Sequence, residues 1–154
     1  MRKWKILCAL LLAVFLSTGA LLPSALAADA PEPSETVTDF SDGSYLVTRI
    51  TYDAMGTNRE ASQKSGTKSH DYYNSAHQIL WTFRVHGTFS YDGGSAEATG
   101  ADYSYDVYNS AWSFDSGSAF YSGATATASG SFSYRSMPQS LSVSLTCSGK
   151  GVLS

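Results

Sequence analysis

Past residue 44 the chain alternates apolar and polar residues with a period of two, the mark of strands with one face buried and the other solvated. The clearest case is the segment 77–91. Trp81, Phe83, Val85, Phe89 and Tyr91 fall on one face, and Thr82, Arg84, His86, Thr88 and Ser90 on the other. At about 3.3 Å per residue it would run to about 50 Å, so a bulge or corner is expected at Gly87. The segment 124–135 sets Ala124, Ala126, Ala128, Phe132 and Tyr134 against Thr125, Thr127, Ser129, Ser131 and Ser133. In the last segment, Leu141, Val143, Leu145 and Cys147 face inward between serines and a threonine. The segment 45–54 carries apolar residues on both faces, with Leu46, Ile50 and Tyr52 opposite Tyr45 and Val47, and so predicts a strand covered on two sides.

Turn chemistry separates these runs. It is read at Asp39-Phe40-Ser41-Asp42-Gly43-Ser44, Asp92-Gly93-Gly94-Ser95, Asp115-Ser116-Gly117-Ser118 and Met137-Pro138-Gln139. The segment 102–112 continues as strand, with a break at Asn109-Ser110. The segment 55–76 is polar and has no β pattern. Thr57 and Glu60 have capping-box spacing, which predicts a short helix through Gln63 that Gly66 ends.

Two stretches echo each other 43 residues apart. Gly87-Thr88-Phe89-Ser90-Tyr91 aligns with Gly130-Ser131-Phe132-Ser133-Tyr134, and the large Trp81, Phe83 and Val85 fall where the small Ala124, Ala126 and Ala128 fall. Large against small packs to full density, so the two hairpins are expected in facing sheets or as neighbours in one curled sheet. The fold class is therefore all-β, an antiparallel β-sandwich or flattened barrel of about seven to nine strands.

The first 27 residues stand apart. Arg2, Lys3 and Lys5 precede an unbroken apolar run from Ile6 to Leu16, and Pro23 and Ala25-Leu26-Ala27 follow. This is the layout of a cleaved secretory signal peptide, with Ala25 and Ala27 at the cleavage site. The apolar run is shorter than the roughly 20 residues a membrane span needs. Domain organisation is accordingly 1–27 signal, 28–38 flexible acidic leader with two prolines, and 39–154 a single β domain, secreted or held at the cell surface. Removing the signal takes three of the ten basic residues and none of the thirteen acids, so the charge falls from −3 to −6. That balance argues against nucleic acid or an anionic membrane as partner. Cys8 leaves as well, and with it any internal disulfide. Cys147 follows the inward alternation and is expected to be buried; a homodimer bridged through Cys147 is the alternative.

No catalytic constellation is present. His70, His77 and His86 stand alone, no serine sits in a nucleophile elbow, and the acids lack metal or glycosidase spacing, so no metal or cofactor is expected. The positive signal is aromatic. Tyr103, Tyr105, Tyr108, Trp112, Phe114, Phe120 and Tyr121 crowd into 19 residues. Tyr108 and Trp112 are read as an exposed binding pair, with Asp102 and Asp106 as nearby hydrogen-bond acceptors. Sandwiches also use such rings as core and edge residues.

Gly130-x-Phe132-Ser133-Tyr134 and the tail Ser142-Val143-Ser144-Leu145-Thr146-Cys147-Ser148 resemble the endings of small exported proteins of Gram-positive bacteria that have no assigned activity. The resemblance implies no catalytic residue. A signal followed by a small β domain is also similar to lactococcin-972-like bacteriocins, although this chain is longer and its motifs differ. The expected function is a secreted, non-enzymatic module that binds extracellular glycan or protein. A bacteriocin-like antimicrobial or toxin-like protein is the alternative.

Overall fold

The computed structural model describes residues 34–53 and 62–154. The expected signal segment with Ala25 and Ala27, the start of the expected acidic leader, and the expected capping box at Thr57 and Glu60 lie outside the described residues. Among the described residues, eight antiparallel strands form two sheets. Sheet A holds β1 (Ser34–Asp39), β2 (Tyr45–Tyr52), β3 (Ser62–Tyr73), β4 (Ile79–Tyr91) and β5 (Ala96–Val107) in that order. Sheet B holds β6 (Trp112–Ser122), β7 (Thr125–Tyr134) and β8 (Met137–Thr146). Among the described residues every ladder joins strands consecutive in sequence, and no ladder joins β5 to β6. The architecture is therefore a sandwich and not a closed barrel.

The core lies between β4 and β7, and the sequence echo explains how they fit. Phe83, Val85 and Phe89 on β4 and Ala126, Ala128 and Phe132 on β7 are buried. A Cβ added to Gly130 would come within 2.7 Å of the Phe83 ring, and one added to Gly87 within 2.9 Å of the Ala126 Cβ. Gly130 thus leaves the space that Phe83 fills, and Gly87 admits Ala126. Trp81 stacks on Phe132, with ring centroids 4.6 Å apart. The two echoing strands face each other across the sandwich, large side chain against small. The bulge expected at Gly87 falls one step on, between Thr88 and Phe89, where β5 contributes the extra residue Thr99.

The outward face of sheet B is built of hydroxyls. Thr125 pairs with Thr146 and Thr127 with Ser144, both at 3.0 Å, and Ser129 donates to Ser142 at 3.4 Å. Cys147 is buried, and its thiol pKa is pushed up by that burial. The C-terminal residues fold back so that Cys147 bridges to Leu153, whose side chain enters the core.

Four local expectations are corrected. Residues 62–73 form strand β3, not a polar loop or helix end, so Gln63 and Gly66 are strand residues. The end of the expected leader is edge strand β1, held by six register pairs to β2. The stretch Asp115–Ser118 is not a turn but lies inside β6, where Asp115 bulges out of register. The last hairpin turns at Arg135-Ser136, not at Met137-Pro138-Gln139, which open β8.

Candidate functional site

Because the strands simply alternate up and down, the turns after β1, β3, β5 and β7 meet at one end of the sandwich. Backbone strain collects there. His77, Arg135 and Ser136 are the non-glycine residues at positive φ among those described, with φ of 59°, 48° and 69°, and all three sit in these turns. The β1–β2 turn at this end and the turns after β4 and β6 at the opposite end meet the same demand with Gly43, Gly93 and Gly123, which have no Cβ to clash. Non-glycine residues in this conformation cost roughly 1–3 kcal/mol each and concentrate at functional sites.

The strained end holds two adjoining clefts. The first, about 420 Å³, lies between the β1–β2 turn, the inner face of β3 and the edge of β8, and is lined by Phe40, Leu46, His70, Tyr72, Trp81 and Leu141 among others. The second, about 470 Å³, lies on the far side of Tyr72 and reaches Asn74, Asn109, Trp112, Tyr134 and Arg135. Asp42, Ser44, Tyr72 and Gln139 line both, forming a saddle between them. The first cleft exists because sheet A is two strands wider than sheet B. β2 and the inner face of β3 extend past the edge strand β8.

The floor is a continuous aromatic cluster. Tyr72 stacks on Trp81 at 5.1 Å and meets Trp112 edge-on at 5.7 Å; Trp112 in turn lies 5.2 Å from Tyr134. The Trp81 indole N–H is buried and has no hydrogen-bond acceptor among the described residues. Above the floor the Tyr72 hydroxyl donates to Ser44 Oγ at 2.9 Å, and Ser44 Oγ donates to Asp42 Oδ1 at 2.5 Å. The Ser44 hydroxyl and its backbone N–H hold the Asp42 carboxyl below its ordinary pKa. Burial pushes the His70 imidazole pKa down, and the nearby Lys68 charge pushes it the same way. At neutral pH the cleft therefore presents a neutral imidazole and an ionised carboxylate.

The four residues singled out from sequence do not come together. Trp112 is buried at 8% exposure instead of forming an exposed pair with Tyr108. The break at Asn109-Ser110 carries the chain from sheet A to sheet B, so Trp112 opens β6 with its ring against Trp81, 6.2 Å away. Tyr108 is 54% exposed and lines neither cleft. Asp102 and Asp106 stand on the outer face of β5. Asp106 is bound by Arg84 at 2.6 Å, and Asp102 accepts from the Tyr103 backbone N–H at 2.7 Å. Of the four, only Trp112 belongs to the site. Phe40, His70, Tyr72 and Gln139 were missed because they fell in segments read as turn or polar loop. The adjacent pair Tyr72-Tyr73 was the one signal that could have marked that loop as strand.

No protein-family model, curated protein or solved structure matches the chain.

Proposed function

We propose that this protein is an extracellular, non-enzymatic glycan-binding module that seats sugar rings in the paired clefts at the strained end of the sandwich. The observation that carries the reading is the half-buried Tyr72 ring, which lines both clefts over the buried Trp81 and Trp112 and is edged by the hydroxyl, amide and carboxylate groups of Ser44, Gln139, Asn74, Asn109 and Asp42. Flat apolar rings beside a few hydrogen-bonding groups suit a sugar, which offers an apolar C–H face and a rim of hydroxyls. The strained turns support the reading because they hold the rim in place before a ligand arrives, which lowers the ordering cost of binding.

The test is retention on immobilised polysaccharides and cell walls. Ser140 lines the first cleft and is exposed, so Ser140→Trp should fill the cleft without disturbing the core. Retention should be lost in Ser140→Trp and weakened in Gln139→Ala, and should persist in Tyr108→Ala. Absence of retention on a broad glycan panel removes the proposal.

A further inference from the structure

Two cations of this acidic protein stand on or beside the groove formed by the two clefts. The described residues include six: Arg49, Lys64, Lys68, Arg84, Arg135 and Lys150. Arg49 and Arg84 are bound to carboxylates on the outer face of sheet A. Lys64 lies over the Tyr52 ring, 4.8 Å from its centroid, and Lys150 is in the C-terminal tail. Lys64, Lys68, Arg135 and Lys150 have no carboxylate within ion-pair distance among the described residues. Of these four, Arg135 lines the second cleft and Lys68 shares the face of β3 that lines the first.

Neither cleft's lining includes Lys68, which stands two residues beyond His70 along β3. Arg135 lines the second cleft from the strained β7–β8 turn, and its guanidinium sits 5.2 Å from the centroid of the Tyr134 ring. Lys68 continues the face of β3 that carries Tyr72 and His70 into the first cleft. Its ladder partners are Ile50 and Val85, both buried. Lys68 is itself half-buried, and burial lowers its pKa. A half-buried ammonium without a counter-charge is unfavourable, and an incoming anion would relieve that cost. Between the two cations, Asp42 is the acid on the saddle. Its Oδ1 is engaged by the N–H and hydroxyl of Ser44, which moderates the repulsion an anionic ligand would meet there.

We propose that the groove takes an extended acidic glycan, with one sugar carboxylate meeting Arg135, another meeting Lys68, and the rings between them lying over the aromatic floor. This rests on the glycan reading of the clefts and names the class of glycan. It also predicts a ligand long enough to cross the saddle.

The experiment measures calorimetric affinity of the full chain for tetramers of galacturonate and of the hyaluronan repeat. Each is compared with its methyl ester, and neutral maltotetraose and chitotetraose are run beside them. The expected result is that at least one acid binds about tenfold more tightly than its own ester, and that its affinity falls with added salt. Lys68→Gln and Arg135→Gln should each weaken the acid by roughly three- to tenfold and leave the ester unchanged, while Lys150→Gln changes neither. Equal affinity for acid and ester, or loss in Lys150→Gln as large as in the groove variants, overturns the charge assignment and leaves the glycan reading standing. Binding of only the neutral tetramers does the same. Failure of every acid, ester and neutral oligomer to bind the folded protein overturns both.

Discussion

Gly130 sits in a strand on the inner face of sheet B, opposite the ring of Phe83. Its φ lies outside the left-handed region, so its backbone could carry a side chain. On backbone grounds alone Gly130→Ala should stabilise the protein by about 0.5–1 kcal/mol, through lower entropy of the unfolded chain. Packing opposes this. The new Cβ would lie 2.7 Å from Phe83 Cε2 and 2.8 Å from Cζ. Carbon atoms pack comfortably at about 3.5–4.0 Å, so the ring has to retreat by roughly 1 Å. Phe83 has no exposed surface, and the rings of Tyr103, Phe114 and Phe132 stand 5.8, 6.3 and 6.1 Å from it. Overpacking of this kind costs about 1–3 kcal/mol and outweighs the entropic gain. The ranges leave a net loss of up to about 2.5 kcal/mol, centred on about 1 kcal/mol, which corresponds to a fall in Tm of roughly 3–6 °C at the centre for a domain of this size. Thermal and urea unfolding followed by circular dichroism would measure it. Phe83→Leu shortens the opposing side chain, so the double variant should lose at least about 0.5 kcal/mol less than the two single losses summed. A Gly130→Ala protein as stable as the parent, or strict additivity in the cycle, would refute the facing arrangement of β4 and β7.

Arg49 holds two carboxylates of different worth. It pairs with exposed Glu35 at 2.7 Å, and with Asp71, which is buried on the outer face of sheet A. Glu35→Gln should cost less than about 1 kcal/mol, whereas Arg49→Gln, which strands the Asp71 carboxylate, should cost about 2–3 kcal/mol in urea unfolding. Stability should also fall on mild acidification because the His70 pKa is depressed in the folded protein. The unfolded chain then takes up more protons, so the contribution of neutral His70 is full above the ordinary value near 6.5 and declines as pH drops through the folded pKa. His70→Gln should flatten that part of the pH–Tm curve; an unchanged slope would remove His70 as its cause.

Strands β4, β7 and β8 were legible because each separates core from solvent, and that separation imposes a strict alternation on the residues. Strand β3 was not. Its outer face carries Thr67, Ser69 and Asp71, and its inner face carries Lys64, Lys68 and His70 where sheet A overhangs sheet B. With polar residues on both faces there is no contrast for a period of two to show. Strand β1 is exposed along its whole length and owes its place to its pairing with β2. In β6 the inner position Gly117 is small because the Tyr103 ring occupies the space above it, so packing against another strand imitated a turn. The site was obscured for related reasons. It is made where the unpatterned strand β3 passes beneath a turn and beside the edge of β8, neighbours that are distant in the chain. Trp112 was recognisable as important, but its burial depends on the change of sheet at Asn109-Ser110, which a local pattern does not reveal.

The strict neighbour-to-neighbour pairing of the strands bears on how the molecule assembles. Sandwiches commonly fold slowly, because strands distant in sequence must find each other before either is rewarded. Here each ladder among the described residues joins two strands that follow one another in the sequence. The principal non-local step is the closure of the two meanders onto one another, through the short link that crosses from β5 to β6. Asn109 Oδ1 accepts the backbone N–H of Ala111 in that link, and the Asn109 carbonyl accepts that of Trp112. The link that lines the second cleft is therefore also the hinge on which the two halves meet, which ties completion of the site to the docking of one sheet on the other.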